Sequence, residues 1–263
     1  MPSISKLRLR TCGLKLAAAF LALGFAAALA AQQAEPAAAT PQANPEAVQV
    51  PAQSPTPQAA PPAAQPARFV VVIDAAHGGD DNGGHLSDGQ LEKAATLALS
   101  VRLRSLLAAR GIQVVTTRES DESLSPDQRA SAANRAQAQA CISVHMAETG
   151  SGIHLFASSL QPTQPARFAP WKTAQSGYVS RSIALTGMLN EALQHAGFPV
   201  TVGRTALPGI DSMTCPAVAL ELAPERDASH KTLNEPDLAE YQARVANVLA
   251  TALLAWRSEG HQP

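Results

Sequence analysis

The chain predicts an α/β domain: a largely parallel central sheet with helices on both faces, in three layers. Three observations carry this. Short continuous apolar runs such as Phe69-Val70-Val71-Val72-Ile73 suit strands that are covered on both faces. Runs of this kind alternate with stretches of helical apolar spacing, the order expected of βαβ units. Glycine and proline stand at the junctions, where helices must stop and loops must turn.

Two N-terminal segments lie outside that domain. Lys6, Arg8, Arg10 and Lys15 form a basic region, Leu16 to Leu29 is a short apolar one, and Ala28-Leu29-Ala30 supplies small residues for cleavage. Residues 1–30 therefore read as a signal peptide. The apolar run is shorter than the roughly 20 residues of a membrane span. Cys12 precedes that run and is not placed like a lipid-modified cysteine. Export to the periplasm or cell envelope follows, with no stable membrane insertion after cleavage. Residues 31–67 are Ala, Pro and Gln with almost no large apolar side chain, so they predict a disordered, partly polyproline-like linker. Residues 68–263 have the length of one domain. The formal net charge is −1 and becomes more negative once the four leader bases are removed. With 4% aromatic residues and no basic stripe, this excludes nucleic acid or anionic lipid as the main partner.

Along the domain, Arg68 to Asp74 is the first strand, followed by a loop marked by Gly78-Gly79 and Gly83-Gly84. Leu91 to Arg110 places Ala94, Leu97, Ala98, Val101 and Leu106 at helical spacing and stops at Gly111. Ile112 to Thr117 is the next strand. Ser125-Pro126-Asp127-Gln128 is a capping-box pattern with proline at N1, opening a helix that runs to about Gln139. Strands Ala140–Val144 and Ile153–Ala157 follow. Leu160 to Tyr178 is a proline-containing connection without periodicity, in which Trp171 and Tyr178 either line a substrate groove or pack the loop. Arg181 to His195 is helical and closed by Gly197, Ala217 to Leu222 is a strand, and Leu238 to Arg257 is a final amphipathic helix. Cys141 and Cys215 each stand early in a core strand. They are either two small buried apolar residues or a bridge, which requires Cα atoms roughly 4.4–6.8 Å apart.

The chemistry gathers at the strand ends. His77 follows the first strand, Glu92 opens the helix after the glycine-rich loop, His145 ends Ala140-Cys141-Ile142-Ser143-Val144, and Glu221 ends Pro216-Ala217-Val218-Ala219-Leu220. The carboxyl ends of parallel strands share one rim, where ligands bind. Two histidines and a carboxylate there suit an open zinc site, and a further carboxylate can carry a proton. At its helix start Glu92 is favoured in the ionised form. Taken singly, His77 is more often a loop histidine, His145 suits a core-edge histidine and Glu92 a plain helix-terminal carboxylate, while Glu221 is the hardest to dismiss, since ionised carboxylates are rarely buried unless paired or metal-bound. Of the other histidines, His85 reads as a solvated loop residue, His154 as a rim residue, and His195, His230 and His261 as surface residues.

Val72-Ile73-Asp74-Ala75-Ala76-His77-Gly78-Gly79 resembles the Asp-Pro-Gly-His-Gly-Gly motif that opens the amidase-3 (AmiC/CwlV-like) family, the zinc-dependent N-acetylmuramoyl-L-alanine amidases. The similarity continues through Glu92-Lys93, Val114 to Arg118, Arg129 to Asn134, Ile142-Ser143-Val144-His145, Gly152-Ile153 and Pro216 to Glu221. The resemblance implies Zn2+ bound by His77, Glu92 and His145, with Glu221 as the catalytic carboxylate. It implies hydrolysis of the amide between N-acetylmuramic acid and L-alanine, in peptidoglycan or a muropeptide. A zinc peptidase acting within stem peptides and a non-catalytic wall-binding domain of the same fold are the alternatives. A binding module has no need of all four residues. The chain departs from the family pattern at Ala75-Ala76, where Pro-Gly is usual, at Met146-Ala147, where Ala-Asn is usual, and at Leu222-Ala223-Pro224, where a Gly-Phe pair often stands. These bear on substrate fit and rate rather than on the ligands.

Overall fold

The computed structural model describes residues 68–260, apart from 88, 167 and 169. The expected leader at 1–30 and linker at 31–67 lie outside the described residues. Eight strands and four α-helices are found among the described residues: β1 (Val70–Ala75), α1 (Glu92–Ala108), β2 (Gln113–Thr116), α2 (Pro126–Ala136), β3 (Ala140–Met146), β4 (Ile153–Ser158), α3 (Val179–His195), β5 (Val200–Thr205), β6 (Ala217–Leu222), β7 (Glu225–Arg226), β8 (Thr232–Asn234) and α4 (Ala239–Ser258). Two 3-10 segments, Trp171–Gly177 and Ile210–Ser212, complete the set.

The main sheet has six strands in the order β2-β1-β3-β6-β4-β5, and β7 pairs with β8 apart from it. β2, β1, β3 and β6 are mutually parallel. β4 is antiparallel to β6 and parallel to β5, so the sheet is mixed rather than parallel throughout. β4 follows β3 with no helix between them, and only a helical crossover would bring the chain back to the same end of the sheet.

All six residues of β1 are buried, as its continuous apolar run requires. Alternate side chains feed two cores. On one face Val71, Ile73, Val144, Leu220 and Leu155 meet Leu99, Leu103 and Leu107 of α1, Leu185 and Leu189 of α3, and Val245, Leu249 and Leu253 of α4. On the other, Val70, Val72, Cys141, Ala217 and Ala219 meet Ala130 and Ala133 of α2, with Ile210 and Met213 from the connection before β6. The second core is built largely from smaller side chains. Cys141 and Cys215 lie in it and are joined by a disulfide with Cα atoms 6.2 Å apart. Cys215 stands two residues before β6 rather than inside it.

α2 starts as its sequence predicts: the Ser125 side chain accepts from the Gln128 backbone N–H, and the Gln128 side chain accepts from Ser125 N–H. It ends at Ala136, short of Gln139, because Gln137 takes a left-handed conformation (φ 49°) and its N–H returns to Asn134 O. Gln139 then serves the sheet, its side-chain oxygen accepting from Val70 N–H at 2.7 Å. The connection from Leu160 to Tyr178 contains the Trp171–Gly177 3-10 turn, anchored by buried Gln175, which donates to Cys215 O at 3.1 Å.

Candidate metal centre

The loop between β1 and α1 presents His77. Its backbone is left-handed (φ 62°), a conformation a residue with a Cβ keeps only when its surroundings hold it. Two arginines do so. Arg129 of α2 donates to Asp74 Oδ1 at 2.7 Å, Ala75 O at 2.6 Å and His77 O at 2.7 Å. Arg118 donates through Nε to Ala75 O and through a terminal nitrogen to Ala76 O, each at 2.9 Å. Asp74 also accepts from Thr117 Oγ1 at 2.6 Å and Ser143 Oγ at 2.8 Å, so this buried carboxylate is fully engaged. The Ala75-Ala76 pair is thus pinned through its carbonyls.

Past β1 the chain folds back tightly. Gly78 and Asp81 exchange backbone hydrogen bonds, and Asp81 Oδ2 lies 2.9 Å from His77 Nδ1. That contact leaves Nε2 for other use, and Nε2 lies 3.1 Å from Glu92 Oε2. The second Glu92 oxygen, Oε1, lies 3.2 Å from His145 Nδ1. Glu92 also accepts backbone N–H bonds from Gly84 at 2.9 Å and Met146 at 3.0 Å. Burial alone would raise its pKa. The hydrogen bonds from His145, His77, Gly84 and Met146 outweigh burial and hold the carboxyl well below the usual carboxylate range. For His77 the Glu92 contact is the largest influence and raises its pKa, against burial and with help from Asp81.

His77, Glu92 and His145 offer ligand atoms that all lie within 4.8 Å of one another. Neighbouring ligands of a tetrahedral site with bonds of about 2.0 Å are separated by roughly 3.3 Å, close to the two His–Glu contacts here. The two imidazoles meet edge to face, with centroids 5.3 Å apart. Glu92 is 7% exposed, whereas His77 is 22% and His145 39% exposed, so the set is anchored on its carboxylate side and open on its histidine side. Gly83 makes the packing possible. At φ 65° a Cβ would come within 2.7 Å of both Glu92 Oε2 and the His77 ring. The donor set, its second-sphere Asp81 and its open side fit a catalytic metal.

His145 is the penultimate residue of β3 and Glu221 that of β6, and the two are directly paired across the parallel ladder. Their side chains share one face of the sheet, about one strand spacing of 4.8 Å apart. No hydrogen bond holds the half-buried Glu221 side chain among the described residues, which leaves it available beside the three grouped residues. Glu225 is differently placed: it pairs with Arg244 and accepts from Asn234 Nδ2 at 2.6 Å. A cavity of about 280 Å3 opens beside His77 and His145. Asp74, Arg129, Ser143, Leu207, Gly209 and Ala219 are among its lining residues, and Glu92 and Glu221 are not.

The remaining sequence candidates fall outside this cluster. His85 is exposed, His195 ends α3, and His230 sits in the β7–β8 turn at φ 64°. Met146 contributes its N–H, while its buried side chain reaches Gln242 of α4 at 3.8 Å. Arg118 and Arg129 build the site without being legible as its parts, because their roles are hydrogen bonds across the fold, whereas Asp81 acts through a local contact to His77. The nearest sequence signal for Asp81 is its place four residues after His77 in a glycine-rich loop.

The amidase-3 family model, described as N-acetylmuramoyl-L-alanine amidase, matches residues 71–255. The chain belongs to that family. As a member it is an N-acetylmuramoyl-L-alanine amidase acting on peptidoglycan. A germination-specific N-acetylmuramoyl-L-alanine amidase of Bacillus subtilis is 29% identical over 206 residues, covering 74% of this chain and 82% of its own. An N-acetylmuramoyl-L-alanine amidase of Mycobacterium tuberculosis is 26% identical over 194 residues, covering 67% and 75%. Among solved structures, the amidase AmiC2 of Nostoc punctiforme superposes with a TM-score of 0.56 at 23% identity, over 72% of this chain and 97% of its own. The catalytic domain of CwlV, an amidase from Paenibacillus polymyxa, gives 0.56 at 24% identity, over 72% and 98%. These two show that the fold is shared. No helix of the amidase, among the described residues, is long and apolar enough to cross a membrane.

Proposed function

We propose that this amidase is an exported, zinc-dependent enzyme in which His77, Glu92 and His145 hold the metal and Glu221 carries the proton. The bond cut is the amide between the lactyl group of N-acetylmuramic acid and the L-alanine of the stem peptide. The observation that carries the reading is the His77–Glu92–His145 cluster, a mixed nitrogen and oxygen donor set with one open side. Zinc held there supplies a Lewis acid for the amide carbonyl and makes an attacking water more acidic.

The protein's own groups supply the rest. Gly84 and Met146 N–H fix both Glu92 oxygens, so the carboxylate keeps its charge and its aim. Asp81 holds His77 by Nδ1 and directs Nε2 inward. Glu221, beside His145, accepts a proton from the attacking water and returns it to the departing L-alanine nitrogen. One residue does both jobs because the proton taken in the first step is the one needed in the second. The cavity at Ser143 and Ala219 gives the substrate room next to the ligands.

The assignment of 1–30 as a cleaved leader and 31–67 as a tether completes the proposal, supported by their composition. Digestion of purified peptidoglycan with the zinc-loaded enzyme tests the whole reading, with the new ends identified by mass spectrometry. Free L-alanine amino ends and intact lactyl carboxyl groups are expected. Cleavage within the stem peptide instead would make it a peptidase.

A further inference from the structure

The sheet register carries a polar row outward from the metal centre. His145 pairs with Glu221, Glu221 pairs across the antiparallel ladder with His154, and His154 pairs with Thr201. Paired residues point to the same face, so four polar side chains lie side by side across β3, β6, β4 and β5. His154 is half-buried and Thr201 exposed, so the outer end of the row is open.

His154 is held on one side and unengaged on the other. Its Nδ1 lies 2.5 Å from Thr201 Oγ1, and its ring stacks at 13° on Phe156, two residues along the same face. Phe156 lies against Gly203 of β5, where a Cβ would come within 3.1 Å of the ring. Nε2 has no hydrogen-bond partner among the described residues. It lies beside Gly150, where a Cβ would stand 3.4 Å away in ordinary contact. In the tautomer in which the Thr201 hydroxyl donates to Nδ1, Nε2 carries the hydrogen and is a donor.

We infer that His154 is a specificity-determining residue that binds the stem peptide on the leaving side of the scissile amide. The inference rests on the amidase reading with Glu221 as proton carrier. In that reading the carbonyl is on the ligand side of Glu221 and the departing nitrogen meets Glu221 itself. The peptide beyond the nitrogen therefore leads away from His145, toward β4. An extended residue spans about 3.5 Å, so the first peptide group past L-alanine falls about one strand spacing beyond Glu221, over His154. There Nε2–H donates to the carbonyl or carboxylate of the second stem residue, just past that peptide group and absent from N-acetylmuramoyl-L-alanine, and Phe156 offers a flat apolar floor.

The test compares kcat/KM of the zinc-loaded enzyme on two substrates, N-acetylmuramoyl-L-alanine and an N-acetylmuramoyl peptide carrying a full stem. Wild type prefers the full stem. His154→Ala shrinks that preference roughly five- to tenfold, the effect of one lost hydrogen bond, mainly through KM. His154→Gln, which keeps a donor, recovers part of it. Zinc content and Tm, measured on the same samples, stay at wild-type values. Equal losses on both substrates, or a lower zinc content or Tm in His154→Ala, would overturn the role of His154 while leaving the amidase intact. Failure of the wild type to free L-alanine from either substrate would overturn the amidase reading, and this assignment with it.

Discussion

His77 combines three constraints in one residue: a left-handed backbone, an Asp81 contact at Nδ1 and a Glu92 contact at Nε2. Each removes a degree of freedom, so the imidazole is oriented before any metal arrives. Gly83 is the residue on which this arrangement most depends. Gly83→Ala would place a methyl 2.7 Å from both Glu92 Oε2 and the His77 ring, at a φ that alanine also resists. Metal affinity is expected to fall at least about tenfold, as for other losses of ligand orientation. Competition titration with a chromogenic zinc chelator measures this, and unchanged affinity would show that the two ligands are not constrained by the loop. His77, Glu92 and His145 are legible as candidates because each stands where a strand or helix begins or ends. The two arginines are not, since no local pattern announces a contact made 43 or 52 residues away, and Asp81 is marked only by its place four residues after His77.

At the scale of elements, the site is a joint between β1, α1, α2 and β3, and Arg129 is the pin. It reaches from α2 to the Asp74 carboxylate and to two carbonyls of the His77 loop, with Arg129 11% and Asp74 7% exposed. Arg129→Met leaves Asp74 without its counter-charge and frees the loop. Breaking a buried ion pair in this way costs about 3–5 kcal/mol. Chemical denaturation of wild type and variant would measure the loss, and a difference below about 1 kcal/mol would show that Thr117 and Ser143 suffice for Asp74. Strand and helix periodicity makes β1, α1, β3, β6 and α4 legible within a few residues. β5 escapes because Val-Thr-Val-Gly-Arg-Thr is an edge strand with every residue exposed or half-exposed, so it carries no continuous apolar run. The reversed direction of β4 and β5 escapes for a related reason: strand direction depends on long-range pairing, and apolar spacing reads the same both ways.

Over the whole molecule, the two faces of the sheet are stabilised differently. The face covered by α1, α3 and α4 packs large leucines, whereas the α2 face packs small side chains around the disulfide. Cys141 and Cys215 are 74 residues apart, and closing a loop of that length restricts the unfolded chain by about 4 kcal/mol. The variant Cys141→Ala/Cys215→Ala is therefore expected to lower Tm by at least about 5 °C. Thermal unfolding checks this, and an unchanged Tm would show that packing alone holds the second face. Ser143 and Ala219, both small residues of that face, line the cavity beside His77 and His145. The proposed mechanism requires this fold to bring a metal-holding triad next to one proton-carrying carboxylate. Glu221→Gln separates these roles, with zinc content, Tm and muramoyl–alanine cleavage measured on one preparation. The variant preserves shape and removes the base, so zinc and Tm are expected at wild-type values with turnover down about 10²–10⁴-fold. Near-wild-type turnover in a zinc-loaded, folded Glu221→Gln sample would remove Glu221 from the mechanism.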